Sequence, residues 1–205
     1  MNPTRAARRV LAAFSATAAV AAVGAAPALA DTTPEASASA CTAPALSQPF
    51  AAFKDLNLYT LAPGGDYGDP AGAGWQLGGG ASIVQTAQAD GTPGGVLDLP
   101  SKATAVSPVL CITSDYPTAR LRVRNLAGSE GVFFYVSYNV NGTWTSPKNT
   151  GQFHGAQKGW TLSNPMNVQP SNAPGWQQVR FTFVAGGKTS RFQVDDFWVD
   201  PRMRA

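Results

Sequence analysis

Short β-prone runs separated by glycine and proline make up most of the chain beyond residue 55. Residues 176–184 show the pattern clearly, because Val179, Phe181 and Phe183 share one phase and polar side chains occupy the other. The predicted strands are residues 56–61, 81–88, 95–99, 106–112, 119–125, 132–140, 143–146, 159–163, 176–184 and 191–199. Without a long amphipathic helical period, this spacing predicts an all-β fold, a single antiparallel β-sandwich of jelly-roll type.

Two places along these runs carry specific local signals. Asn141-Gly142 lies between two β-prone arms and predicts a type I′ hairpin, because both central residues of that turn need positive φ. In the last run, Phe192 and Val194 have the opposite phase to Phe197 and Val199. A regular strand would expose one of these apolar pairs, so we predict a β-bulge at Asp195-Asp196.

The first thirty residues have the features of an export signal. Three arginines precede an Ala/Val-rich run over residues 10–26, and Ala28-Leu29-Ala30 has the small-x-small pattern of a cleavage site. A membrane anchor is the alternative, but no second stretch approaches the roughly 20 apolar residues that a spanning helix needs. We interpret residues 1–30 as a signal peptide and expect a secreted protein with no membrane anchor after cleavage.

The remaining chain divides into a short spacer and one domain. Residues 31–40 are small and polar and predict a flexible N-terminal spacer, so we expect the β-sandwich domain to span residues 41–205. Of the 15 Lys and Arg residues, three lie in the leader, which leaves 12 basic against 12 acidic side chains. This neutral balance argues against nucleic acid as a partner.

Cys41 and Cys111 are the only cysteines of the chain. In an oxidising compartment two cysteines favour a structural disulfide over a redox site, and no Cys-x-x-Cys motif is present. The bridge would close a 70-residue separation, which stabilises a fold by about 4 kcal/mol in the chain-entropy model.

Two segments carry a family resemblance. The opening Leu61–Tyr67, with Gly74-Trp75 and the small-residue run 78–82, and the closing run Ser190–Pro201 resemble the ends of secreted jelly-roll modules. These are carbohydrate-binding and galactose-binding-like domains, and the layout is also similar to uncharacterised secreted actinobacterial proteins. The resemblance implies a non-catalytic module that binds carbohydrate or cell-wall polysaccharide.

The resemblance also implies a structural calcium ion. In similar modules the acid at the closing strand helps to bind calcium, and the matching positions here are Asp66 and Asp196. Main-chain carbonyl oxygens would complete the several oxygen ligands that calcium prefers. The family's glutamate aligns with Gly68, so one ligand is missing; the alternative is that the acid bonds the backbone at the bulge.

Aromatic and basic side chains supply candidates for ligand binding. Trp144 and Tyr138 lie beside the predicted hairpin, where a ring can cover the apolar face of a sugar; burial in the core is the alternative. Arg120, Arg122 and Arg124 alternate along one strand and project from one sheet face. They would suit an acidic polysaccharide, or they are paired with acids across strands.

The sequence shows no recognisable catalytic motif, so we expect no enzymatic activity. His154 is the only histidine. A jelly-roll polysaccharide lyase stays open as an alternative and would require His154, a tyrosine and the arginines to meet in one cleft. Further candidates for hydrogen bonds to a sugar are the amides of Asn139, Gln152, Asn164, Gln177 and Gln178.

Two partner classes therefore remain open from the sequence. One is a polysaccharide or cell-surface glycan. The other is an extracellular protein, because β-sandwiches serve many structural and interaction roles. A broad exposed apolar patch would favour the second class.

Overall fold

The computed structural model describes residues 41, 43–113, 115, 117–168 and 175–201. The predicted signal peptide and spacer, residues 1–30 and 31–40, lie outside the described residues, and these domain limits stay predictions. All described residues belong to one compact unit. Among them, no helix has both the length and the apolar character needed to cross a membrane.

The described residues form fifteen β-strands and one short 3₁₀ helix, Ala51–Phe53. The strands are β1 (Thr60–Leu61), β2 (Gln76–Gly78), β3 (Ser82–Ala87), β4 (Pro93–Pro100), β5 (Thr104–Val106), β6 (Leu110–Ile112), β7 (Thr118–Ala127), β8 (Val132–Val140), β9 (Thr143–Trp144), β10 (Lys148–Phe153), β11 (Ala156–Gln157), β12 (Thr161–Leu162), β13 (Met166–Asn167), β14 (Gln177–Ala185) and β15 (Arg191–Asp200).

The strands form two sheets that face each other across one core. The eight-stranded sheet has the order β11-β7-β15-β4-β3, with β1 on β15 and with β12 and β13 on β7. The seven-stranded sheet has the order β10-β8-β14-β5-β2, with β6 on β14 and β9 on β8. The pairings are antiparallel except for the two-residue contact of β11 with β7. The predicted all-β sandwich is confirmed.

Stacked aromatic rings fill the space between the sheets. Phe134 stacks on Phe181 with ring centroids 5.2 Å apart, and Phe197 meets Phe181 edge-on at 5.1 Å. Trp75 stacks on Phe183 at 5.6 Å. Such pairs contribute about 0.5–1.5 kcal/mol each beyond the area they bury. The core thus joins β8 and β14 of one sheet to β15 of the other.

The two local predictions are confirmed. Asn141 and Gly142 have φ values of 52° and 82°, and Val140 pairs with Thr143 across the turn. In β15 the register against β7 shifts between Asp195 and Trp198, which places the bulge where the phases conflict. The apolar side chains on both sides of the bulge all reach the core: Phe192, Val194, Phe197 and Val199.

The predicted disulfide is confirmed. Cys41 and Cys111 are bonded, with Cα atoms 5.8 Å apart. Cys111 lies in β6, which pairs with β14, so the bridge attaches the beginning of the described chain to the seven-stranded sheet.

The predicted strand over residues 106–112 is wrong in its extent, because two strands occupy this stretch. Strand β5 ends at Val106 and β6 begins at Leu110, with Pro108 between them. Proline has no backbone N–H to donate to a ladder, so the interruption falls where the residue type requires it.

The segment 47–59 lies over the outer face of the eight-stranded sheet. Ser47 and Tyr59 form an isolated antiparallel bridge. Phe50, between them, is fully buried, and its ring meets Tyr59 at 5.1 Å and Trp198 at 6.4 Å. This covering removes part of the sheet's outer face from solvent.

Candidate functional site

A cleft of about 440 Å³ opens where the edges of the two sheets meet. Strand β10 of the seven-stranded sheet forms one wall, and the segment that contains β12 and β13 forms the other. A Cβ placed on Gly151 would lie only 3.1 Å from Met166 Sδ, so the missing side chain lets the two walls approach closely. We call this feature the edge cleft.

The edge cleft has an apolar floor and a polar rim. Val123, Phe153 and Met166 are buried at the floor. The exposed rim carries amide and imidazole groups. Its main polar side chains are those of Gln152, His154, Asn164 and Asn167. Among the described residues that line it, no side chain is an acid, lysine or arginine.

Contacts with the two sheets hold both walls in place. Ser163 is buried and joins β7 at Leu121: its N–H donates to Leu121 O at 2.9 Å, and its Oγ accepts from the Leu121 N–H at 3.0 Å. The neighbouring rim residue Asn164 is therefore attached to strand β7 of the eight-stranded sheet. On the other wall, the ring of Phe153 packs against Phe134 at 5.9 Å.

His154 lines the edge cleft, but the other members of a lyase constellation do not. The described lining includes no tyrosine and no arginine. The edge cleft therefore does not assemble the set of groups that the lyase alternative requires.

The three predicted arginines lie on one face of β7, as their alternation indicated, and each has partners within the protein. Arg120 forms an ion pair with Asp55 and lies over the ring of Phe50 at 5.3 Å. Arg122 approaches Asp196, with Nε 3.8 Å from Oδ2.

Arg124, the third arginine of the row, is held without a carboxylate contact. Its guanidinium lies over the ring of Trp160 at 4.5 Å, and its Nε donates to Gln193 Oε1 at 2.8 Å. None of the three arginines lines the edge cleft. Their role in binding a ligand stays a prediction.

The two predicted aromatic residues have different environments. Tyr138 belongs to the core, is 3% exposed and donates its hydroxyl to Val168 O at 3.4 Å, so a glycan on the outer face would not contact its ring. Trp144 is half-buried in β9, with the guanidinium of Arg180 over its ring at 4.1 Å. Trp144 lies outside the described lining of the edge cleft.

The bulge in β15 creates a second polar region, on the outer side of the eight-stranded sheet. Asp195 is 1% exposed; its Oδ2 accepts from the Ala89 N–H at 2.8 Å, and its Oδ1 is buried with no hydrogen-bond partner among the described residues. Burial raises the pKa of Asp195 to about 6. The hydrogen bond from Ala89 and the charge of Arg122 lower this pKa, and the charge of neighbouring Asp196 raises it. Burial also raises the pKa of Asp196.

Tyr67 lies near the same carboxylates. Its hydroxyl is buried without a hydrogen-bond partner among the described residues. Burial, together with the charges of Asp195, Asp196 and Asp66, raises the pKa of Tyr67 well above its usual value. The phenol therefore stays neutral.

The calcium prediction named Asp66 and Asp196 at this region. Asp66 is exposed, and its Oδ1 accepts from the Gly68 N–H at 3.4 Å. Across the described ranges, no group of three or more His, Cys, Asp or Glu side chains could hold a metal ion. The predicted site relied on two carboxylates and main-chain carbonyls, so calcium binding at Asp66 and Asp196 stays a prediction.

Two of the five amides predicted as sugar contacts, Gln152 and Asn164, line the edge cleft together with His154. The other three, Asn139, Gln177 and Gln178, lie outside its described lining, and the cleft itself was not predicted. The lining comes from three separated stretches, at residues 123, 150–155 and 161–167. A high amide content in residues 149–167 was the available signal.

No protein-family model matches the chain, and no curated protein matches it. Among solved structures, the chain is similar to two xylan-binding domains of Xyn10C from Paenibacillus barcinonensis. CBM22-1 is 14% identical with a TM-score of 0.46, over 67% of this chain and 92% of that domain. CBM22-2 is 10% identical with a TM-score of 0.48, over 69% and 98%.

A third similar structure is TmCBM61 in complex with β-1,4-galactotriose, 11% identical with a TM-score of 0.44, over 70% of this chain and 95% of that one. These structural neighbours are carbohydrate-binding modules, the class of domain that the ends of the sequence resemble. The fold of the present chain is defined by its own two sheets and their strand order.

Proposed function

We propose that the protein is a secreted, non-catalytic carbohydrate-binding module that holds a neutral glycan in the edge cleft. The observation that carries the proposal is the pairing of an apolar floor with a polar rim that has no carboxylate, lysine or arginine among its described residues. Its volume of about 440 Å³ lies within the roughly 300–1,000 Å³ typical of small-molecule sites.

The chemistry of the two surfaces matches a sugar ring. The C–H groups of a pyranose or similar ring would lie on the floor formed by Phe153 and Met166. Sugar hydroxyls donate and accept hydrogen bonds, as the amides of Gln152 and Asn164 do. A glycan chain would enter and leave through the open side of the cleft.

The lack of acids, lysine and arginine in the described lining indicates the class of glycan. Binding a uronic acid or a sulfated sugar at a partly dry site would call for an arginine or lysine near the anion. The described lining has neither, and no acid is present that would favour a cationic sugar. A neutral polysaccharide fits this lining best.

Export supports the cellular context of the proposal. The leader pattern of residues 1–30 and the Cys41–Cys111 disulfide both suit an oxidising extracellular environment. We therefore place the module outside the cell.

The test is retention of purified protein on neutral and acidic polysaccharides and on cell-wall material, with release of sugar products followed in the same mixtures. Xylan and β-1,4-galactan belong in the panel, because solved domains similar to this chain are named for such ligands. We expect saturable retention on a neutral glycan, little effect of salt and no product. Absence of retention across the panel would overturn the proposal, and product release would assign an enzyme instead.

A protein partner is the second candidate, because one described segment exposes large apolar side chains. Phe53, Leu56 and Leu58 all face solvent beside the sheet that segment 47–59 covers. If an extracellular protein binds to this segment, replacing the three residues by serine would abolish its binding. The same replacement would leave glycan retention unchanged if the edge cleft is the binding site.

A further inference from the structure

Four carboxylates act on one another electrostatically around the bulge of β15. Asp195 and Asp196 belong to the bulge itself, Asp66 belongs to the turn after β1, and Asp90 follows Ala89 in the loop before β4. The charges of Asp90 and Asp66 both act on Asp196. This concentration of negative charge at a half-buried position costs free energy unless a positive charge balances it.

Arg122 supplies a positive charge at this position. It is the register partner of Asp195 on the adjoining strand β7, and its Nε lies 3.8 Å from Asp196 Oδ2. The side chains of Arg122 and Asp196 are 21% and 30% exposed, so solvent screens the pair only in part. The charged and titratable groups around the bulge are Asp66, Tyr67, Asp90, Arg122, Asp195 and Asp196.

The guanidinium acts on several acids together. Burial is the largest influence on both bulge acids and raises the pKa of Asp195 and of Asp196. The charge of Arg122 acts in the opposite direction on both pKa values. It also contributes to the lowered pKa of Asp90, after the hydrogen bonds from Thr92. One side chain thus offsets the repulsion among acids from two elements.

The same acids do not fit a preformed calcium site. Calcium takes six to eight oxygen ligands, while Asp66 bonds its own turn and Asp196 faces a guanidinium. A calcium ion and Arg122 would also compete for the Asp196 carboxylate, because both carry positive charge.

We propose that Arg122 is the built-in counter-charge of the β15 bulge and takes the place of a structural cation in this sandwich. The fold is accordingly stable without calcium. This proposal concerns the bulge and does not depend on glycan binding in the edge cleft.

The experiment is thermal unfolding of the full chain with calcium or with a chelator, at about pH 5 and about pH 8. Arg122→Met removes the charge and keeps much of the side-chain volume. Arg124→Met is the matched control, because Arg124 lies two positions along the same face, and its described contacts are with Gln193, Thr86 and Trp160 rather than an acid. Arg122→Met/Asp196→Asn removes both partners.

We expect wild-type protein to have the same Tm with calcium as with the chelator. Arg122→Met should lower Tm by about 2 to 8 °C at the higher pH and by less at the lower pH, where the bulge acids take up protons. Arg124→Met should lower Tm equally at both pH values. The double variant should recover part of the loss, and it stays measurable if Arg122→Met alone does not fold.

Three results would each overturn the proposal. One is a saturable rise of wild-type Tm with calcium, which would show that a cation is still required. Another is equal pH dependence of Arg122→Met and Arg124→Met. The third is a double variant that is less stable than Arg122→Met, since the two charges would then not be coupled.

Discussion

Asp195 Oδ2 accepts a hydrogen bond of 2.8 Å from the backbone N–H of Ala89, which lies 106 positions earlier in the chain. The bond joins the bulge of the last strand to the loop between β3 and β4. It therefore connects two elements on the outer side of the eight-stranded sheet. Burial raises the pKa of the Asp195 carboxyl although this hydrogen bond lowers it, so the stability of the fold depends on pH through Asp195.

Asp195→Asn is expected to become progressively more stable than wild type as the pH rises from about 4 to about 7. The folded-state pKa of Asp195 is about 6 against 3.8 in the unfolded chain, so wild type loses stability as Asp195 ionises in this window. Asparagine retains an acceptor for the Ala89 N–H and has no charge to bury. We expect a relative gain of about 1 to 2 kcal/mol, below the limit of roughly 3 kcal/mol that full linkage over about two pKa units at about 1.4 kcal/mol each would set.

Urea unfolding of both proteins across this pH range checks the prediction. The difference in unfolding free energy near pH 4 is the internal control. At that pH Asp195 is mostly protonated in the folded protein, so the difference reflects the replacement of a carboxyl group by an amide rather than its charge. A stability difference that stays constant with pH would show that Asp195 does not titrate in the window.

The backbone of the bulge makes a separate prediction at Asp196, which has a φ of 54°. Asp196→Ala and Asp196→Gly both remove the carboxylate, and they differ in how readily they adopt a left-handed conformation. Glycine has no Cβ penalty there, so the glycine variant should be more stable by about 1 kcal/mol. Chemical denaturation measures the difference, and an alanine variant of equal or greater stability would mean that the residue is not left-handed.

Removing the Cys41–Cys111 bond should destabilise the sandwich by about 2 to 4 kcal/mol, because the bridge restricts a long loop of the unfolded chain. For a chain of this length the expected fall in Tm is about 4 to 16 °C. Replacing both cysteines by serine tests this, and reduced wild type is the control. Equal unfolding midpoints for oxidised wild type and the double variant would contradict the prediction.

Alternation of apolar and polar residues was sufficient to predict the long central strands. The predicted runs 119–125, 132–140, 176–184 and 191–199 match β7, β8, β14 and β15 closely, because each strand has one buried face. Strand β10 was not predicted. Its sequence, Lys148–Phe153, lies at a sheet edge and includes few apolar residues, so no alternation marks it.

The candidate site was predictable only in its parts. The shared face of Arg120, Arg122 and Arg124 follows from strand periodicity, but their partners come from distant parts of the chain. Asp55 is 65 positions from Arg120, for example. The edge cleft likewise depends on how β10 approaches the wall across from it, and local sequence does not encode that distance.

Tyr138 shows the same limit at a single position. It occupies the inward phase of β8 together with Phe134 and Val136, so its burial was available from the alternation. Its hydroxyl partner, the carbonyl of Val168, comes from another segment. The position of Tyr138 beside the predicted hairpin suggested a ligand contact, but it is equally compatible with a hydrogen-bonded tyrosine in the core.

The lining of the edge cleft favours binding of a neutral glycan there. The most direct test of this binding compares wild type with Gln152→Ala/Asn164→Ala on the neutral polysaccharide that retains wild type most strongly. Trp144→Ala is the matched control, because it removes an aromatic ring from outside the described lining. Circular dichroism of all three proteins confirms that each is folded.

Binding should weaken by about tenfold or more in the double cleft variant, because two hydrogen-bonding amides contribute roughly 0.5–1.5 kcal/mol each. Trp144→Ala should bind as wild type does. Full binding by the cleft variant together with loss of binding by Trp144→Ala would contradict binding in the edge cleft and place the glycan on the outer face of the seven-stranded sheet.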